Sequence, residues 1–290
     1  MNANQANTIC VVGAGNMGHQ IALQSALSGF ETYCTDVNQA MLEKAESFAE
    51  NWLSERVQKE KITEGEAQAV KARLHFTEDL QEAACRADLV IEAIVELLDV
   101  KRDLFKRLDT ICPPHCILAT NSSYIVSSRI ADATSRPDKV LNIHFFNPVL
   151  VMKLVEVVKG AHVSEETIKT VFDVCNRLNK TPVLIKKEIY GFVVNRVFSA
   201  ITKEACYLLD QDVASIEDID LAVKNGLGHP MGPFALLDLT GIDLEYNVLM
   251  AKYQDTGDIA DKPSPAVVEH YARGEFGRKT GKGFYEYKSK

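Results

Sequence analysis

The sequence predicts an α/β chain: an N-terminal doubly wound, mostly parallel sheet carrying a helical-hairpin insertion, followed by an all-α C-terminal domain. Three observations predict it. Short apolar, β-branched runs recur between residues 8 and 185 and end in glycine or polar residues, as buried parallel strands do. The first of them runs straight into a glycine turn and an amphipathic helix. Beyond residue 185 no strand pattern returns, and the rest reads as helices. The expected division is therefore 1–188 and 189–290, falling in the stretch Lys186 to Gly191.

The first strand, residues 8–12, feeds the turn Gly13-Ala14-Gly15-Asn16-Met17-Gly18, and the following helix carries Ile21, Ala22, Ala26 and Leu27 on one side. Gly13 permits the tight turn, Gly15 lets a pyrophosphate approach the backbone, and Gly18 allows close helix–strand packing. The helix N-terminus offers unpaired amide donors to phosphates. A second strand, residues 32–35, ends at Asp36, eighteen residues beyond Gly18. That is where a dinucleotide site of the Rossmann type places the acid that binds the adenosine ribose hydroxyls. Its charge repels the extra phosphate of NADP, so NAD is the expected cofactor. A chance glycine turn beside a surface aspartate is the bland alternative, and the order strand, turn, helix, strand, acid weighs against it.

Residues 38–61 are charged and helical, and Thr63 is the expected N-cap of a second helix from Glu64, making a hairpin. Lys59 and Lys61 at its bend suit a phosphate-bearing substrate, although a solvated face is the simpler reading of lysines alone. Residues 88–93 and 116–120 read as two more parallel strands. Asn121, Ser122 and Ser123 follow the second, where a hydroxyl holds a substrate oxygen, caps a following helix, or does both.

The run Val140-Leu141-Asn142-Ile143 reads as a buried strand whose carboxyl end delivers His144. After a turn at Asn147-Pro148, residues 151–158 alternate so that Met152, Leu154, Glu156 and Val158 share one face. A carboxylate among apolar neighbours takes up a proton or finds a donor, and His144 is the nearest in sequence. A glutamate on one ring nitrogen fixes the tautomer and leaves the other nitrogen to accept a proton from a substrate hydroxyl. That is a base for oxidising an alcohol. Seen alone, the pair reads more readily as a core histidine and an unrelated glutamate; the dinucleotide turn reverses that weighting.

Residues 183–185 are the last strand-like run. Helices are expected at 192–209, 215–223, 244–252 and 266–272, with Ser215 and Asp218 at capping-box spacing. Asn195 falls near the start of the first, a position from which an amide reaches a cleft. The helical half is the expected place for self-association.

Composition narrows the classes. The chain has 290 residues, 46% of them hydrophobic, and a net charge of -8, which suits two ordinary domains and argues against a nucleic-acid surface. No apolar run approaches membrane-spanning length, and the polar start enters a strand without signal-peptide blocks, so a cytoplasmic protein is expected. Seven cysteines in such a chain are expected as free thiols. Cys112, His115 and Cys116 lie together, but no second cluster has zinc-site spacing, and no metal is expected.

Eight blocks in order run almost end to end: GAGNMG at 13–18, Asp36, EAIVE at 92–96, NSS at 121–123, HFFNPVLVMKLVE at 144–156, GFVVNR at 191–196, HPMGPF at 229–234 and KTGKGFY at 279–285. Together they resemble the L-3-hydroxyacyl-CoA dehydrogenase family, including its short-chain 3-hydroxybutyryl-CoA dehydrogenases. The resemblance implies reversible NAD-dependent oxidation of an (S)-3-hydroxyacyl-CoA to the 3-ketoacyl-CoA. By the same resemblance His144 is the general base and Glu156 its electrostatic partner, while Ser123 and Asn195 contact the substrate near its hydroxyl. Asp36, Glu96, Lys101, Ser123 and Asn147 join Gly13, Gly15, Asn16, Met17 and Gly18 at the NAD site, with Lys279 near the cofactor. Lys59 is implied to contact coenzyme A, and the partner protein is a second copy, paired through the helical domain. Three positions depart from the common pattern: Gln20 stands where a glycine is frequent, Tyr190 replaces the proline usual before GF, and Trp52 falls where some relatives have a CoA-contacting serine. Two rival functions remain: an NAD-linked dehydrogenase of a free hydroxyacid or sugar acid, and a non-catalytic NAD(H)-binding protein.

Overall fold

The computed structural model describes residues 6–287. The chain divides into two compact units, Met1–Phe192 and Val193–Lys290.

The first unit is built on one eight-stranded sheet, ordered β3-β2-β1-β4-β5-β6-β7-β8. Its elements are β1 (Thr8–Val12), α1 (Gly18–Leu27), β2 (Glu31–Thr35), α2 (Gln39–Gln58), α3 (Glu64–Lys71), β3 (Leu74–Thr77), α4 (Leu80–Ala84), β4 (Leu89–Glu92), α5 (Leu98–Ile111), β5 (Ile117–Thr120), β6 (Val140–Phe145), β7 (Leu154–Val158), α6 (Glu165–Arg177) and β8 (Thr181–Ile185). All neighbours run parallel except β6 and β7. The order reverses between β1 and β4, the switch point at which such sheets open a crevice at their carboxyl edge.

Burial on both faces explains the continuous apolar runs. In β1, Ile9 and Val11 enter one core while Cys10 and Val12 enter the other. In β6, Leu141, Ile143 and Phe145 face the first core, whereas Val140 faces the second. Asn142 and His144 therefore share the face opposite Ile143, both buried. Each buried aliphatic side chain here contributes about 1.5–3 kcal/mol relative to exposure.

The helical hairpin forms as its caps dictate. Thr63 accepts the Glu66 amide and Glu66 reaches back to the Thr63 amide at 2.7 Å, a complete capping box on α3. Alternation did not signal β3 and α4: β3 is the edge strand, only half-buried and without a continuous apolar run, and α4 is a helix of five residues. The helix α6 likewise went unmarked, although Ser164 caps it. Residues 151–153 lie outside β7, so Met152 is partly exposed rather than aligned with Glu156. No α-helix follows Asn121–Ser123; short 3-10 turns do, at Ser127–Arg129 and Ala131–Ala133.

The second unit contains α7 (Val194–Asp210), α8 (Ile216–Leu227), α9 (Pro233–Thr240), α10 (Ile242–Thr256) and α11 (Pro265–Ala272) around Ala205, Phe234, Leu237, Ile242 and Val267. The helix expected from residue 192 begins at Val194, because Gly191 and Phe192 hold φ of +73° and +48°, outside the helical region. Pro233 and Phe234 open α9 rather than a loop, with Pro233 in the first turn where its missing N–H costs nothing. Ser215 caps α8, but Asp218 is one methylene too short to close the box and takes the Ser215 hydroxyl instead, at 2.8 Å. Among the described residues no helix is long and apolar enough to cross a membrane.

Candidate active site

The glycine turn is locked by its neighbours. Gly13 has φ +103° and donates its N–H to the Thr35 carbonyl at 2.7 Å. A Cβ on Gly18 would stand 1.7 Å from the Gly13 carbonyl oxygen, so only glycine fits there. A Cβ on Gly15 would meet nothing within 4 Å, which leaves that side of the turn open. Met17 precedes α1 without a side-chain cap, and in its first turn the His19 amide donates to the Gly15 carbonyl at 3.1 Å and the Ile21 amide to the Met17 carbonyl at 2.9 Å. The Asp36 carboxylate accepts the Ala14 amide at 2.8 Å and the Asn38 amide at 3.0 Å, which braces it against the turn. An open glycine, the N-terminus of α1 and a fixed acid fit the phosphates and adenosine ribose of NAD. Gln20 has a visible use: its amide donates to the Asn16 carbonyl at 2.9 Å and to the Asn147 side chain at 3.4 Å, bridging turn and hairpin loop.

At the carboxyl end of β4 the sequence reading missed a residue. Glu92 is fully buried; it accepts the Ile94 amide at 2.8 Å, the Thr120 hydroxyl at 2.6 Å and the Lys101 ammonium at 2.5 Å. Lys101, only 1% exposed, also lies 3.2 Å from Glu96, whose other oxygen accepts the Ser122 hydroxyl. A glutamate ending a fully apolar strand, with a lysine nine residues on in an amphipathic helix, is the signal that marks it.

His144 and Glu156 stand directly opposite each other in the antiparallel β6–β7 pair. The ring Nδ1 and Glu156 Oε2 are 2.9 Å apart, with His144 5% and Glu156 1% exposed. On the other side of the ring, Nε2 is 2.8 Å from the Ser123 hydroxyl. The rings of Phe146 and Phe192 lie 4.6 Å and 5.5 Å from the imidazole, which shields the pair from water. A carboxylate on Nδ1 makes that nitrogen the N–H donor, so Nε2 is the one able to accept a proton.

Five sequence-predicted residues of the first unit are thus brought together: Ser123, His144 and Glu156 in one hydrogen-bonded series, and Glu96 one residue away through Ser122, with Lys101 ion-paired to it. Lys59 is apart from them, exposed at the end of α2 and ion-paired with Glu55. Asn195, half-buried, is the second residue of α7, and Lys279 pairs with Asp243; both belong to the second unit. All seven cysteines are free, and among the described residues no group of three His, Cys, Asp or Glu side chains is placed to hold a metal.

A doubly wound sheet with this turn and this acid belongs to an NAD-dependent oxidoreductase. Residues 8–189 match the family described as 3-hydroxyacyl-CoA dehydrogenase, NAD binding domain, and residues 191–287 match 3-hydroxyacyl-CoA dehydrogenase, C-terminal domain. The chain belongs to the 3-hydroxyacyl-CoA dehydrogenase family. It is 39% identical over 282 residues to a 3-hydroxybutyryl-CoA dehydrogenase of Clostridioides difficile, covering 96% of this chain and 99% of the other. It is 40% identical over 291 residues to the human mitochondrial hydroxyacyl-coenzyme A dehydrogenase, covering 97% and 91%. The crystal structure of (S)-3-hydroxybutyryl-CoA dehydrogenase from Ralstonia eutropha superposes with a TM-score of 0.91 at 36% identity, over 98% of this chain and 100% of that one.

Proposed function

We propose that this chain catalyses the reversible oxidation of a short-chain (S)-3-hydroxyacyl-CoA, such as 3-hydroxybutyryl-CoA, to the 3-ketoacyl-CoA. The observation that carries the reading is the imidazole held between Glu156 at 2.9 Å and Ser123 at 2.8 Å. Bound NAD supplies the acceptor for the hydride from C3 and, as NADH, its donor in reverse. His144 Nε2 takes the hydroxyl proton during oxidation and returns it during reduction. Glu156 keeps the ring in the required tautomer and stabilises the imidazolium. Ser123 holds the oxygen at C3, and Asn195 is assigned to the substrate.

Gly13, Gly15, Asn16, Met17, Gly18 and Asp36 hold the dinucleotide, with Glu96 and Asn147 beside them. Lys101 is assigned to the same NAD site, where its ammonium is ion-paired with Glu92 and Glu96. Lys279 is assigned to the cofactor side and Lys59 to the negative charge of coenzyme A. Self-association into a homodimer is supported by exposed apolar side chains on the helical unit, among them Tyr207, Leu221, Leu227 and Leu244. Free thiols at all seven cysteines suit a reducing, cytoplasmic setting.

The test is oxidation of NADH by acetoacetyl-CoA, run beside NADPH and beside free acetoacetate. Turnover restricted to NADH and the thioester is the expected result. Equal turnover of the free acid would move the reading to a hydroxyacid dehydrogenase; NADH binding without turnover of any of them would reduce the protein to a binder.

A further inference from the structure

A buried asparagine is out of place in a strand covered on both faces. Asn142 lies on β6 two residues before His144, on the same face, and is fully buried. A primary amide there is costly unless its donors and acceptor are all matched. They are matched, and by one loop. Asn142 Nδ2 donates to the Ser122 carbonyl at 3.2 Å and to the Ile125 carbonyl at 2.9 Å, while Oδ1 accepts the Ser127 amide at 2.7 Å. Two carbonyls and one N–H allow a single orientation of the amide.

Those three contacts bracket Ser123. The loop is held again at its start, where Asn121 accepts the Phe145 amide at 2.9 Å, and beyond its end, where Glu188 accepts the Ser127 hydroxyl at 2.9 Å and the Ser128 amide at 2.8 Å. Strand β6 therefore carries both the imidazole and the side chain that sets the hydroxyl facing it.

The geometry points to Asn142 as a positioning residue: it fixes the backbone on both sides of Ser123 so that the Ser123 hydroxyl meets His144 Nε2. The inference rests on the roles given above to Ser123 and His144. Asn142 does not touch the reacting atoms; it acts through Ser123. Misplacing a group by about 1 Å near a reacting centre costs up to about 100-fold in rate.

The test is a double-mutant cycle with Ser123→Ala, read by kcat for acetoacetyl-CoA reduction and by the 15N resonance of the His144 ring Nε2. Asn142→Val is the first variant because a β-branched apolar residue suits a buried strand; Asn142→Ser is the second if that one fails to fold. In the parent background we expect Asn142→Val to lower kcat about 10- to 100-fold. In the Ser123→Ala background it should cost less than about twofold, because the residue it positions is gone. The Nε2 resonance should move in Asn142→Val as it does in Ser123→Ala, and move no further in the double variant. Equal losses in both backgrounds, or an Nε2 signal that ignores Asn142, would overturn the assignment. If the parent protein reduces no acyl-CoA, the proposed function fails, while the resonance still decides whether Asn142 sets the Ser123 contact.

Discussion

Glu156 in the first unit and Asp238 in the second are buried to the same extent, each 1% exposed, but their partners differ in kind. Asp238 accepts the Phe284 and Tyr285 amides and the Tyr287 hydroxyl, all at 2.9 Å. Asp220 does the same for the Phe234 amide at 2.8 Å, the Ala235 amide at 2.9 Å and the Tyr285 hydroxyl at 2.9 Å. None of these donors releases a proton near neutral pH. Burial, followed by the contact with Asp238, pushes the Tyr287 phenol up to about 12, and burial with Asp220 raises Tyr285 as well. Glu156 instead faces an imidazole whose second nitrogen reaches a hydroxyl. A buried carboxylate that closes turns is part of the scaffold; one whose partner can pass a proton onward is available to chemistry. The comparison also explains two blocks of the sequence. HPMGPF supplies the Phe234 amide to Asp220, KTGKGFY supplies the Phe284 and Tyr285 amides to Asp238 and the Tyr285 phenol to Asp220, and a Cβ on Gly283 would stand 2.1 Å from the Asp238 carboxylate.

The contrast is broken most severely at His144. Its replacement by alanine should lower kcat about 10²- to 10⁴-fold while leaving the folded protein in place. Turnover within a few-fold of the parent in a steady-state assay would remove the proton-passing role. Asp238→Ala should act in the opposite sense, on stability. One buried and one part-buried amide lose their acceptor, at about 1–3 kcal/mol for a buried one, so urea denaturation of the helical unit should show a loss of about 3 kcal/mol. A midpoint unchanged from the parent would mean that the turn re-forms without the carboxylate.

Glu156→Gln keeps a hydrogen-bond acceptor on Nδ1 but removes the charge. A charge-assisted bond is worth about 1.5–3 kcal/mol, so kcat should fall about 10- to 100-fold with little change in melting temperature. A variant that melts early but turns over normally would place Glu156 with Asp238 instead.

A further test sharpens the comparison from the cationic side. Lys180 is buried and donates its ammonium to the Val149 and Met152 carbonyls at the hairpin between β6 and β7. Burial, followed by the nearby Lys153, pushes its pKa down to about 8 from 10.5. Between these values the unfolded chain holds a proton that the folded chain has released, so stability rises with pH through that window. The parent should therefore gain stability relative to Lys180→Met between about pH 8 and 10.5, measured by urea titration at each end. A constant difference would show that the amine titrates alike in both states.

Much of the fold was legible because its cues are local. The glycine turn, Asp36 and the strand runs of β1, β2, β4, β5 and β6 are read from residues within a few positions of one another, and the Thr63 capping box spans only three. The pairing of His144 with Glu156 was within reach because a hairpin joins residues only twelve apart. Where burial was incomplete the pattern faded, as in β3, five residues were too few for a helical period in α4, and positive φ at Gly191 and Phe192 delayed α7 without a marker in the apolar period.

Periodicity, turn chemistry and the order of motifs settle the layering of this chain, the place of its dinucleotide turn and the strand that carries the imidazole, since each depends on near neighbours in the chain. Which donor meets which buried acceptor is another matter. Ser123 reaches His144 across 21 residues, Thr120 reaches Glu92 across 28, and Asn142 clamps a loop up to 20 residues away. Those partners are chosen by strand order and register, and the cost of leaving a buried polar group unpaired holds them to that choice.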